Sequence, residues 1–323
     1  MPINTLQYAA LFQTELDKQA VQTATSGWME ENAGDVIYNG GRDIKIPELT
    51  LQGLGDYDRD EGQPIGSVGF AYRTYTMSQD RGRKFRLDEN DINETNFGTA
   101  AARVMSEFQR TQVVPEIDAY RYSKIANLAG TKSVDTITAA NVMPTLYNQL
   151  YALANAGVDI NNIIVTISYP LFAMINMSGD INRNITVSDF QQGSVTLKIR
   201  DLDGAKLIPV SSDRLKTAYV FRDGKTSGQE AGGFTPAQDA ASINWIIYPR
   251  SAPIAISKTD RMKIITPDVN QDGDFYDLHY HKYHDLILPY ARRSSVIVST
   301  AAAFTPVLDS AVNVDTTNST NQP

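Results

Sequence analysis

Asp268, Asn270, Asp272 and Gly273 follow the D-x-[DN]-x-[DN]-G opening of a calcium-binding loop, and Asp274 stands where a backbone carbonyl ligand would follow. Such loops close the coordination sphere with a bidentate glutamate at position twelve, which here is His279. A polar turn is therefore expected in place of a metal site. His279, His281 and His284 are the only histidines. An H-x-H pair can set two zinc ligands on one face of a strand, but regular alternation sends His284 to the other face. Packing between strands is the simpler expectation. Gly224, Lys225 and Thr226 end like a phosphate loop, yet the glycine required five residues earlier is Tyr219. The chain has no cysteine, and it carries no G-x-S-x-G, H-E-x-x-H or G-x-G-x-x-G. Neither an enzyme nor a cofactor is expected.

Composition narrows the classes further. The chain has 323 residues, 29 basic and 37 acidic, for a formal charge of -8. The absence of cysteine excludes a disulfide scaffold and thiolate metal sites. The acidic balance argues against a chain whose main affinity is for nucleic acid, because phosphate binding runs on Lys and Arg. Apolar runs such as Ile163-Ile164-Val165 fall far short of the ~18 residues that cross a bilayer. No membrane span or signal peptide is expected, and synthesis in a cytoplasm follows.

The elements that would position these residues are legible from spacing. Residues 5–21 have a loose helical pattern and read as an arm. Ile44 and Ile46 alternate with charged neighbours, then Leu49 and Leu51 resume in the opposite parity beyond Pro47, which predicts a bulged edge strand. Val68, Phe70 and Tyr72 continue to Phe85 and Leu87, so the two runs form a long hairpin around a Gly-rich acidic tip. A two-stranded projection of that length is unstable alone in water. From Ile92 to Ala129 an apolar stripe through Phe97, Met105 and Phe108 predicts a helix of about 57 Å. Asp91 and Glu94 are spaced as its capping box, Pro115 should kink it, and Gly130 should end it. A second helix should start at Asn141 and present Val142, Leu146, Leu150 and Leu153. Beyond Ile163 the chain breaks into short β-like runs such as IIVTI, NWIIY and VIVST. The last residues lack Lys and Arg and predict a flexible tail.

Charge is unevenly placed on the hairpin. Its tip carries Asp56, Asp58, Asp60 and Glu61 against Arg59, while Arg81, Arg83, Lys84 and Arg86 crowd its far end. All of these except Arg59 are candidates for contacts between subunits, with the tip of one copy reaching a basic patch on the next. The string RGRKFR also admits a nucleic-acid patch, although nothing extends a basic stripe.

An arm, a long hairpin, one very long helix and a mixed body, in that order, resemble the major capsid proteins of tailed bacteriophages, the Hong Kong 97-like family. The strings GGRDIKIPELTLQGLGDYDRDEG, EFQRTQVVPEIDAYRYSKIA and TPDVNQDGDFYDLHYHKYHDL carry the resemblance, which covers about residues 7–290. It implies an α+β fold with an N-terminal arm (1–43), an extended loop (44–88), a spine helix with the first part of a peripheral domain (89–160), an axial domain (161–249), a returning peripheral segment (250–305) and a flexible tail (306–323). It also implies self-assembly into pentamers and hexamers of an icosahedral shell around double-stranded DNA, made in a bacterial host cytoplasm. Portal and scaffolding proteins are the implied partners, and the DNA contact should be weak and nonspecific. With the helix starting by residue 92, no long N-terminal scaffolding segment fits, so a separate scaffold or the arm alone is expected. Two alternatives stay open: an encapsulin-like nanocompartment shell with an enzyme cargo, and a calcium-binding surface protein built on Asp268 to Asp274.

Overall fold

A computed structural model describes residues 24–35, 37–38, 41–57, 59–60, 62–63, 65–88, 104–177, 185–192, 195–306 and 312–314. The chain divides into two compact units. The larger takes Gln79–Val307 with the chain start to Ala33, and the smaller takes Gly34–Ser78 with the residues from Leu308 onward.

The smaller unit contains β1 (Ile37–Tyr38), β2 (Asp43–Leu51) and β3 (Val68–Thr76). β2 and β3 pair antiparallel without a break, from Asp43 opposite Thr76 to Leu51 opposite Val68. The bulge expected at Pro47 is therefore absent. Pro47 is tolerated because β1 pairs with β2 only at Lys45 and Ile44, which leaves the rest of that edge without a ladder to interrupt. The change of parity has another origin: the apolar residues change sides along one regular ribbon. Ile44 and Tyr75, directly opposed, are buried near its base. Leu49 with Phe70, and Leu51 with Val68, sit on the other face of its outer half.

The larger unit opens with β4 (Gln79–Asp88). Residues 104–108, a π turn at Gln109–Val113 and α1 (Val114–Leu128) form one continuous helix. Pro115 has no N–H for the carbonyl four residues earlier, and the wider π turn directly precedes it. There the Thr111 hydroxyl donates to the Glu107 carbonyl at 2.7 Å. The predicted capping box and Phe97 lie outside the described residues. Then come β5 (Thr131–Val134), α2 (Val142–Asn155), β6 (Ile163–Ser168), α3 (Tyr169–Met177), β7 (Ile185–Gln192), β8 (Val195–Leu202) and β9 (Ala205–Val210). β10 (Tyr219–Phe221), β11 (Phe234–Pro236), β12 (Ile243–Pro249), β13 (Ile254–Ile265), β14 (Phe275–Ile287) and β15 (Ile297–Thr300) complete it.

Seven strands form one sheet in the order β5-β15-β12-β6-β9-β8-β7. Alternate residues of its central strands feed two cores, as the period of two requires. Ile164, Ile246 and Tyr248 pack with Tyr122 and Ile125 of α1, whereas Val165, Ile167, Trp245 and Ile247 pack with Leu146 and Leu150 of α2 and Ile175 of α3. Because helices cover both faces, β6 is buried at every residue and reads as a continuous apolar run. A second sheet, β13-β14-β4, packs Leu278 and Tyr280 on Met105 of the helix.

These pairings redraw three expected boundaries. β4 ladders with β14 from Asp88 opposite Phe275 to Gln79 opposite His284, so residues 79–88, expected in the extended loop, belong to the larger unit. β5 and β15, expected in the peripheral part, belong to the same sheet as the strands of 161–249. Finally, β16 (Val312–Val314) pairs antiparallel with β3, so part of the expected flexible tail is a strand.

Candidate assembly surfaces

On the hairpin, Leu49 is 59% exposed, Leu51 63%, Val68 67% and Phe70 55%. Leu54, Tyr57 and Ile65, between the two strands, are exposed as well. Leu49, Leu51, Val68 and Phe70 share one face of the ribbon, and exposed apolar surface of this kind is typical of interaction sites. Full burial of each such side chain is worth about 1.5–3 kcal/mol. The opposite face at the same level carries the Arg73–Glu48 ion pair at 3.0 Å. At the tip, Asp56 and Asp60 are exposed, and Asp58 and Glu61 lie outside the described residues.

The basic cluster does not form one patch. Successive residues of β4 point to opposite sides, so its charges divide in two. Arg81 pairs with Glu116 of α1 and donates to the Gly233 carbonyl, and Arg83 donates to the Glu230 carbonyl at 3.1 Å. On the other side Lys84 and Arg86 meet Asp277 at 2.6 and 3.0 Å, and Arg86 also reaches Asp272 at 3.1 Å. The Arg86 guanidinium, helped by Lys84, holds the Asp277 carboxyl well below the usual carboxylate range despite its burial. Arg81, Lys84 and Arg86 thus answer acids of their own subunit.

A cleft of about 510 Å³ lies between β4, the π turn and the loop of residues 222–233. Phe85, Phe108 and Val113 form apolar wall, while Arg83, Arg222 and Lys225 bring positive charge. Those three form no ion pair among the described residues. The loop keeps its shape through Asp223, whose carboxylate accepts from the Thr226 hydroxyl and from the Lys225 and Thr226 amides. These bonds lower its pKa to about 2. The Gly-Lys-Thr string is therefore a carboxylate-centred turn.

The calcium-like string is the connection between β13 and β14. Asn270 donates its side-chain amide to the Phe275 carbonyl and accepts from the Asp272 amide, and Asp272 pairs with Arg86. Asp268 lies in a short 3-10 turn and Asp274 is exposed. His284 and His281 separate: His281 lies 2.5 Å from Asp80, while His284 is buried edge-on to Tyr120. Among the described residues no group of three or more His, Cys, Asp or Glu converges as a metal site.

Sequence reasoning passed over the polar residues inside α1. Asp118 is fully buried and accepts from Thr25 and Ser26, backbone and hydroxyl of each, and from Arg214 at 3.0 Å. Arg121 donates to the Ser26 carbonyl and pairs with Glu30. Their partners lie about 90 residues away along the chain, beyond the reach of a local pattern.

No sequence family matches the chain, and no curated protein does. Solved structures do. The mature capsid of bacteriophage PhiM1 aligns with a TM-score of 0.56 at 12% identity, over 82% of this chain and 83% of that one. The capsid of cyanophage P-SCSP1u gives 0.54 at 10% identity, over 82% and 85%. A structure from Mycobacterium phage Che8 gives 0.50 at 14% identity, over 83% and 90%. At such identities the shared property is architecture, and the chain has the α+β, Hong Kong 97-like fold of phage capsid subunits.

Proposed function

We propose that this chain is the major capsid subunit of a tailed phage, self-assembling into the pentamers and hexamers of an icosahedral shell that encloses double-stranded DNA. The observation that carries the reading is the exposed Leu49–Phe70 and Leu51–Val68 face on a fold shared with capsid subunits over four-fifths of the chain. A monomer leaves that strip wet, and a neighbouring copy covers it. The acidic tip then selects register. Since Lys84 and Arg86 serve Asp277, the receiving charges on the next subunit are Arg83, Arg222 and Lys225. Exposed pairs of this kind give ~0–1 kcal/mol each and set partner choice more than strength. Assembly takes place in the host cytoplasm with scaffolding and portal proteins as partners, and the net charge of -8 keeps contacts with DNA weak.

Expression of the chain with electron microscopy and light scattering tests this. Closed particles tens of nanometres wide support the shell. A chain that remains monomeric across concentration and salt, also when co-expressed with candidate scaffolds, overturns it. Particles that retain a protein cargo and exclude DNA would overturn the genome-container reading while leaving a shell.

A further inference from the structure

We propose that His284 is an acid-sensitive latch between α1 and β14, holding the two elements together while its imidazole is neutral and releasing them when it takes a proton. The inference concerns the body of a single subunit and does not depend on shell formation.

His284 is only 4% exposed, its ring meets Tyr120 of α1 edge-on at 5.7 Å, and its Nδ1 has no hydrogen-bond partner among the described residues. Four cations act on it electrostatically: Arg121 and Lys124 from α1, Arg81 from β4 and Lys282 from β14 itself. Each of these already has its own carboxylate. Arg121 pairs with Glu30, Lys124 with Asp285 at 2.7 Å, Arg81 with Glu116, and Lys282 with Asp260 of β13 at 2.5 Å. Asp80 of β4 is engaged by His281, and Asp223 by its own turn. A proton on His284 would therefore create a fifth cation with no anion assigned to it. Burial first, and then those four cations, hold its pKa well below the usual histidine value.

Geometry supplies the way out. His284 lines the cleft of about 510 Å³, so water and a departing ring have room on one side. The helix carries its π turn at Gln109–Val113, immediately before the segment that Tyr120 belongs to, where backbone bonding is already irregular. Once the joint opens, the imidazole meets water and regains an ordinary pKa near 6.5.

The sign follows from linkage. A group whose pKa is depressed in the closed state favours opening as pH falls below its open-state value. The opening equilibrium should rise about tenfold per pH unit below ~6.5, until the closed-state value is reached. Burial raises the Glu116 carboxyl and Arg81 opposes that rise, so single-residue variants serve as controls.

Hydrogen exchange on the full chain between pH 7 and 5, corrected for chemical exchange rates, reads the latch through the amides of α1 and β14. Protection should fall with that slope in the unaltered protein, stay flat in His284→Gln, and keep its slope in His279→Gln and His281→Gln. Protection that ignores pH in the unaltered chain, or a slope that survives His284→Gln, overturns the proposal. Should His284→Gln fail to fold, imidazole NMR of the unaltered protein decides. A ring that stays neutral through pH 6 while protection falls supports the latch; one that titrates near 6.5 with protection unchanged overturns it.

Discussion

In the body, α1 surrounds its buried charges with partners: Asp118 accepts bonds from residues 25, 26 and 214, and Arg121 is closed off by Ser26 and Glu30. On the hairpin the opposite holds, and Leu49, Leu51, Val68 and Phe70 are each more than half exposed. The first region pairs its buried charges internally, so its geometry is fixed within one chain. The second leaves favourable burial unrealised, and its free energy appears only on association. Stability and assembly should therefore respond to different residues.

Asp118→Ala should strike hardest on folding. Removing one side of a buried charge network costs about 3–5 kcal/mol, readable as a fall in the urea midpoint. A smaller but pH-coupled loss belongs to Asp277. Its depressed pKa contributes stability that is present above the ordinary carboxylate value and disappears as pH falls below it. Asp277→Asn should lower stability at neutral pH and flatten the acid limb of a stability-versus-pH curve. The loss should be less than at Asp118, because Lys84 and Arg86 are each 41% exposed and screened by solvent.

On the hairpin the folding response should nearly vanish. Leu49→Ser combined with Phe70→Ser should shift unfolding by no more than about 0.5 kcal/mol while abolishing particles in the microscope. An equal loss of folding and assembly would erase the contrast between the regions. Smallest of all, Asp56→Lys with Asp60→Lys should leave the urea midpoint in place. Light scattering should show slower assembly with a weaker dependence on salt.

Much of this architecture could be read ahead of the coordinates because burial on both faces writes itself plainly. IIVTI and NWIIY became β6 and β12 in the centre of the large sheet, and Val142, Leu146, Leu150 and Leu153 became the buried stripe of α2. Gly130 was legible as necessary but not why. A Cβ there would lie 2.5 Å from the Arg293 carbonyl oxygen, so close backbone approach, and no left-handed turn, requires the glycine. The basic cluster misled because four charges in six residues look like a patch until a strand separates them by parity. The polar residues of α1 gave no signal, since a helix with Asp118, Arg121 and Asn127 along it reads as half solvated. At the hairpin, the switch of apolar side was visible, while its cause, a regular ribbon with two differently used faces, needed the pairing register.

The widened turn at Gln109–Val113 also acts as a phase adjuster. One additional residue rotates everything after it by about 100° relative to a plain α-helix. Upstream of it Met105 and Phe108 address the three-stranded sheet, and downstream Tyr122 and Ile125 address the seven-stranded one. A single helix thus serves two sheets, and deleting one residue from that turn would leave one of the two without its ridge.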